Sequence, residues 1–472
     1  MKKLVMPIVA LAAACLLAHG AWAAEIQWNS SHGGDMQVET NWRNNTKPTS
    51  SDTIKIAQNN DKPITLSEDL TATGGDSYLT ANYELALTNS AGVAKTLSLK
   101  RIYLGGGSKT VRLTAGVLSF NNNLYMGDAA SSYHDDTLIV DGATLSGWNS
   151  SILIGTKQPN NTLCVTNGAT ATGTNLYVGR GHNNETQIST NNCFRVAGAE
   201  STAIFSGSVY FGSAGLGRIE VQDGGCLTAT NLYVRHNSSY TTTPWHGGNS
   251  VLVSGAGSRV VVNGASNKGF WLGNAYAPYC SVTVEDKATW ESYGEFKIAD
   301  GYTTNATFRV ASGASLSHYV YSLNIGTSAN AKNAALEIDN ASVESVEKGI
   351  SVTGDGSHVS ISGANSRFAA ATTTTFATGT RLEVEIPKDG FTGGEPPITC
   401  ATLTFNAGSS LVVTLEKANN PGGRVVLART TNNITTLGNL SVTLPDGVEL
   451  DTSNAKELAV KIKSSGLVIV FR

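Results

Sequence analysis

The 472-residue chain is poor in charge, with 15% Asp, Glu, Lys and Arg, and holds only 4 methionines. No stretch of about 15 residues carries a 3.6-residue apolar period, so helix is expected to be nearly absent. Basic residues are not in excess: 33 Lys and Arg face 36 Asp and Glu, a net charge of −3. A nucleic-acid partner would need a basic face to displace counterions, and none is expected. After the first few residues no apolar run approaches the ~18 residues of a membrane-spanning helix. Beyond the leader the cysteines are Cys164, Cys193, Cys226, Cys280 and Cys400. They are odd in number, widely spaced and lack a CxxC pair, which argues against both a disulfide framework and a zinc site. Cys164, between Leu163 and Val165, reads as a small side chain on a strand surface. Serine-hydrolase elbows, a Walker loop and HExxH are absent too, so neither cofactor nor metal is expected.

The opening MKKLVMPIVALAAACLLAHGAWAAEIQW has two lysines, an apolar run from Leu4 to about Leu17, and small residues at Ala21 and Ala23. It reads as a secretory signal over residues 1–23, with export as the consequence. The competing reading takes Ala12-Ala13-Ala14-Cys15 as a lipobox with Cys15 lipidated. Leu16 and Leu17 follow, however, where a lipoprotein usually turns polar.

What the chain has in abundance is one recurring triplet: apolar, variable, apolar, usually then Gly. Its copies are Ile102-Tyr103-Leu104, Leu124-Tyr125-Met126, Ile152-Leu153-Ile154, Leu176-Tyr177-Val178 and Val209-Tyr210-Phe211. Five more follow: Leu232-Tyr233-Val234, Phe270-Trp271-Leu272, Phe296-Lys297-Ile298, Leu323-Asn324-Ile325 and Ile350-Ser351-Val352. After each comes a polar loop, a second alternating strand such as Leu138/Val140 or Leu163/Val165, a turn such as Asp141-Gly142 or Asn167-Gly168, and a short third strand. Three strands in about 26 residues match one coil of a parallel β-helix, and are too few for a propeller blade of about 40 to 50. The fold expected is therefore all-β, a right-handed parallel β-helix. Residues 24–65 read as an N-terminal cap in which Trp28 and Trp42 cover the open end. Residues 66–380 form the array, and 381–472 form a C-terminal β-rich module or late coils with a cap. Pro396-Pro397 is the candidate linker.

The segments DTLIVDGATLSG (136–147) and NTLCVTNGATATG (161–173), alternating with LYVG-like triplets, resemble the autotransporter-associated β-strand repeats of secreted Gram-negative proteins. The block from Ile26 to Ile56, with Trp28, Asn41-Trp42, Pro48 and Asp52, is similar to the opening of many such surface proteins. The resemblance implies an extracellular or outer-surface location in a Gram-negative bacterium, the periplasm being the alternative. It departs from a complete autotransporter in having no translocator-sized segment after residue 380.

Middle residues of the triplets must point outward if their neighbours point in. Tyr103, Tyr125, Leu153, Tyr177, Tyr210, Tyr233 and Trp271 would then make an aromatic strip on the order of 30 Å long, able to meet sugar rings. The bland reading is that parallel coils favour stacks of like residues. A corner insertion between Val234 and Val251 carries His236, Tyr240, Pro244, Trp245 and His246, of which Trp245 is a second aromatic candidate. Tyr133-His134-Asp135-Asp136 is the densest titratable cluster and reads as a solvated turn. Gly181-His182 resembles part of the Gly-His-Gly of pectin hydrolases, but Asn183 replaces the last Gly and no acidic partner strand accompanies it. The chain is thus read as a non-catalytic exported solenoid, structural, adhesive or glycan-contacting, with extracellular polysaccharide or cell-surface components as partners. The alternative is a polysaccharide-active enzyme, a lyase or glycoside hydrolase, on the same scaffold; a third reading is a self-assembling coat protein.

Overall fold

The computed structural model describes residues 23–128, 134–180, 189–212, 215–234, 248–265, 267–273, 278–328, 330–416, 423–436 and 440–463. They form a β-solenoid of about 14 turns built from parallel strands. Each coil supplies three strands, as in Leu124–Met126, Thr137–Asp141 and Thr144–Gly147. Second strands stack into one sheet of 16 strands, while first and third strands share another of 26. These last two merge because the corner between them is nearly straight. In Thr202–Phe211 and Cys226–Val234 one unbroken strand covers both.

Register is kept within each column of strands, with shifts at bulges such as Ala72/Asp76, Phe205/Ser208 and Ala370/Thr373, and it sorts the residues. Val140 lies on Val165, Val165 on Val196, Val196 on Val221, Val221 on Val253 and Val253 on Val284. All six are buried. Because side chains alternate along each strand, this column and its counterparts on the other strands fill the interior. Val and Ile suit the job because their branched side chains pack well on a pleated surface.

Corners need a different chemistry. The glycine leaving a first strand turns left-handed: Gly127 has φ 71°, Gly155 68°, Gly179 65°, Gly212 71°, Gly273 74° and Gly326 69°. A Cβ on Gly155 would sit 2.1 Å from the Asn192 side chain, and one on Gly212 would sit 2.2 Å from that of Asn249. Asn192 Oδ1 in turn accepts the Asn161 backbone N–H at 3.0 Å, and Asn249 Oδ1 accepts that of Gly217 at 3.0 Å. The glycine slot thus makes room for asparagines that satisfy the backbone of the neighbouring coil. Ala299 occupies the same slot with φ 59°.

At the N-terminal side, Glu25–Gln27 pairs in parallel with Thr53–Ile56, and Gly34–Asp35 with Ile64–Thr65. Coiling therefore starts in the first described residues. Trp28 and Trp42 are fully buried, edge to face at 5.0 Å, and the Trp42 indole N–H donates to the Met36 carbonyl at 2.8 Å. Parallel pairing also continues across residue 381: Arg381–Ile386 lies between His358–Ser362 and Ser410–Leu415. Pro396 and Pro397 are buried, and the Pro397 carbonyl accepts the Phe368 N–H at 2.7 Å, so this stretch is docked on the coil before it. Glu457–Ile462 then pairs antiparallel with both Gly423–Thr430 and Val448–Asp451. Arg424 braces this closure through Asp451 at 2.6 Å and Glu457 at 2.8 Å. Hydrogen bonds from Ser453 and Arg424 hold the Asp451 carboxyl well below the usual carboxylate range.

The corner slot yields a paired prediction. Gly155→Ala should lower stability by about 2 kcal/mol, from left-handed strain plus the Asn192 clash. Ala299→Gly should raise it by about 0.5 kcal/mol, the relief of strain less the added chain entropy. Midpoints of chemical denaturation for the two variants measure both.

Candidate functional site

The outward column of the first strands is continuous over the regular array. Lys55 lies beside Tyr78, then come Tyr103, Tyr125, Leu153, Tyr177, Tyr210, Tyr233, Trp271, Lys297, Asn324 and Ser351, each paired in register with the next. Tyr103, Tyr125, Tyr177, Tyr210, Tyr233 and Trp271 are thus brought together as one row. Tyr78 is an additional member. Its triplet is Ser77-Tyr78-Leu79, in which a buried serine stands at an apolar position and Thr80 replaces the glycine; the Ser77 Oγ accepts the Ile54 N–H at 3.3 Å. The alternation around Tyr78 was the available signal.

Ring orientation decides what this row can do. Tyr78 and Tyr103 stack at 5.4 Å and 13°, Tyr103 and Tyr125 at 5.2 Å and 12°, and Tyr177 and Tyr210 at 4.9 Å and 12°. Tyr210 and Tyr233 are tilted by 33° at 5.5 Å, and Tyr233 meets Trp271 at 5.1 Å and 61°. Lys297 places its ammonium 4.5 Å from the Trp271 ring, and Arg180 lies 5.1 Å from Tyr177. Ring faces are therefore turned along the solenoid axis and taken up by neighbouring rings or cations. The Tyr125 hydroxyl accepts from Asn123 at 2.9 Å.

The row is not uniformly open. Leu153, between Tyr125 and Tyr177, is 1% exposed, and Tyr233 is 7% exposed. Burial pushes the Tyr233 phenol up to about 12, and burial with the nearby Tyr210 raises that of Tyr177. These hydroxyls stay protonated at neutral pH and can both donate and accept.

Asp135 and Asp136 diverge. Asp135 is exposed, has φ 59° and pairs with His134 at 2.8 Å, a solvated turn as expected. Asp136 is instead fully buried. Its Oδ1 accepts the backbone N–H groups of Gly106 at 3.3 Å and Lys109 at 3.0 Å, and burial pushes its pKa to about 6. It occupies the corner column of Asn161 and Asn192, where a side-chain oxygen serves the backbone of the preceding coil. Among the described residues no group of three or more His, Cys, Asp or Glu is placed to hold a metal ion. Trp245, with His236, Tyr240, Pro244 and His246, lies outside the described residues, as do Tyr133, Gly181 and His182.

A groove of about 500 Å³ lies beside the loop 387–390. It is lined by Asp339, Glu385, Asp389 and Glu416 with Lys388. Two of these carboxylates are already engaged. Asp339 pairs with Arg309 at 3.1 Å, and Glu416 accepts the Lys388 backbone N–H at 2.9 Å. The groove draws on three successive second strands and one corner loop, so no sequence motif announces it. No protein-family model, curated protein or solved structure matches the chain.

If the stacked row stiffens the rod, removing one ring should weaken two contacts. Tyr210→Ala should cost about 1 to 3 kcal/mol and Tyr210→Phe well under 1, since stacking is worth about 0.5–1.5 kcal/mol per pair. Urea midpoints of the two variants provide the comparison.

Proposed function

We propose that the chain is an exported, non-catalytic rod of the outer surface of a Gram-negative bacterium, and that it contacts carbohydrate-rich surfaces along its tyrosine face. The observation that carries this reading is the row from Tyr78 to Trp271, seven aromatic residues locked in register beside Arg101 and Arg180. Phenol hydroxyls and guanidinium groups on a rigid face are the donors and acceptors that sugar hydroxyls require. The leader-like opening supports export, and the LYVG-like triplets alternating with DTLIVDGATLSG support an autotransporter passenger-like origin.

Contact would run through ring edges rather than ring faces, because the faces are turned to one another. The mode of binding would therefore depend on hydroxyls. A rod with fixed spacing also favours extended ligands, since contacts on successive coils act together.

A second reading has one observation in its favour, the groove of Asp339, Glu385, Asp389 and Glu416 beside Lys388. Paired carboxylates next to a base could serve a lyase or glycoside hydrolase. Fold alone does not supply that activity, and the engagement of Asp339 and Glu416 in structural bonds favours the rod.

The experiment is a polysaccharide panel scored for retention and for product release. Wild type should be retained on at least one glycan without releasing product, and Tyr103→Phe/Tyr177→Phe/Tyr210→Phe should lose about tenfold or more in retention while staying folded, as loss of several hydroxyl contacts requires. Indifference of the wild type to every glycan sinks the binding reading. Product release that disappears in Glu385→Gln would establish the enzyme in its place.

A further inference from the structure

One inward column changes character midway along the array. On the third strands it runs Val262, Ser292, His318, Ser345 and Ala370, each in register with the next. Ser292, His318 and Ser345 are all 0% exposed, so three consecutive coils carry polar side chains into an otherwise apolar interior. Ser345 donates to the Gly349 carbonyl at 3.3 Å. Neither ring nitrogen of His318, nor the Ser292 Oγ, has a partner in good hydrogen-bond geometry, although backbone groups of Ser292, Tyr321 and Ser322 lie near the ring. The Phe296 ring lies 5.4 Å from the imidazole. Such orphaned groups are rare in interiors and costly, and they mark either a function or an ordered water.

We propose that the Ser292–His318–Ser345 step is a pH-sensitive joint of the rod, opening locally when the imidazole takes up a proton. Solenoid coils touch only their neighbours, so one weakened step separates two otherwise intact lengths. Burial in this apolar setting lowers the His318 pKa to about 4, against the opposing pull of backbone groups of Ser292, Tyr321 and Ser322. A histidine with a depressed folded pKa is neutral when packed. The open state begins to bind the proton near pH ~6.5, the closed state only near 4, so closure is fully favoured above ~6.5 and weakens progressively as pH falls between these values.

No other charge shares the interior position. Trp290 and Ser292 face inward from Thr289–Ser292, Val343 and Ser345 from Ser342–Ser345, Phe296 and Ile298 from Glu295–Ile298, and Leu323 and Ile325 from Leu323–Ile325. From the opposite sheet come Val282, Val284, Phe308, Val310, Leu336 and Ile338. The titratable residues on these elements, Glu285, Glu291, Glu295, Lys297, Arg309, Glu337, Asp339 and Glu344, occupy the outward positions, and Tyr319 and Tyr321 lie on the corner. Asp136, far along the array, titrates in the opposite sense: its pKa is raised to about 6, so acid favours its packed neutral form.

Hydrogen–deuterium exchange read peptide by peptide, corrected for intrinsic rates, tests the joint in the full-length exported protein. Between about pH 7.5 and 4.5, protection of Thr289–Ser292, Ser315–His318 and Ser342–Ser345 should fall by tens-fold more than that of Thr202–Phe211, a strand remote from both His318 and Asp136. In His318→Leu and His318→Gln that local excess should vanish. Equal loss along the whole rod in the wild type, or an undiminished local excess in whichever variant folds, would overturn the proposal. The wild-type profile alone suffices to reject it.

Discussion

In-register parallel pairing is the constraint on which the rest depends. Once each coil sits on its predecessor without offset, every position becomes a column that repeats at about 4.8 Å. An inward column then favours apolar residues coil after coil, as in the valines from Val140 to Val284. An outward column brings like residues into contact, which is how Tyr103, Tyr125, Tyr177 and Tyr210 come to stack. Corners obey the same rule: Gly155 makes room for Asn192, and Asn192 serves Asn161 in the preceding coil.

This constraint also explains why the tyrosine face and the interior step at His318 stand out. Rings in one column can turn their faces to each other at little cost, since the spacing is already close to that of stacked aromatics. A polar residue in an inward column has no such option. It meets whatever lies above and below, and His318 meets two serines and a phenylalanine ring. A linear array tolerates this because the penalty stays local.

Columns could be read from the sequence because the apolar-x-apolar-Gly triplet marks register directly. From Ile102 to Val352 its middle residues fall where alternation puts them. Tyr78 escaped because Ser77 breaks the apolar signature, although Ser77 is as buried as the residues it replaces. Asp136 escaped for another reason. Neighbouring Asp135 takes a left-handed conformation, and that corner geometry, which local composition does not encode, turns one carboxylate out and the other in. The face-to-face arrangement of the tyrosines and the acidic groove at Glu385 both depend on contacts between coils, and no single stretch of chain contains them. Pro396-Pro397, read as a linker from its composition, is held by the Phe368 backbone instead.

The central claim is a single register maintained from the first coils to the last. Spin labels at Lys55 and Ser351, in a background with the half-exposed Cys164 and Cys226 replaced by serine, test it most directly by pulsed dipolar spectroscopy. Eleven rungs separate the two sites. One narrow distance distribution centred near about 53 Å is predicted from the strand spacing, and a centre below about 40 Å, or two separate populations, would contradict it.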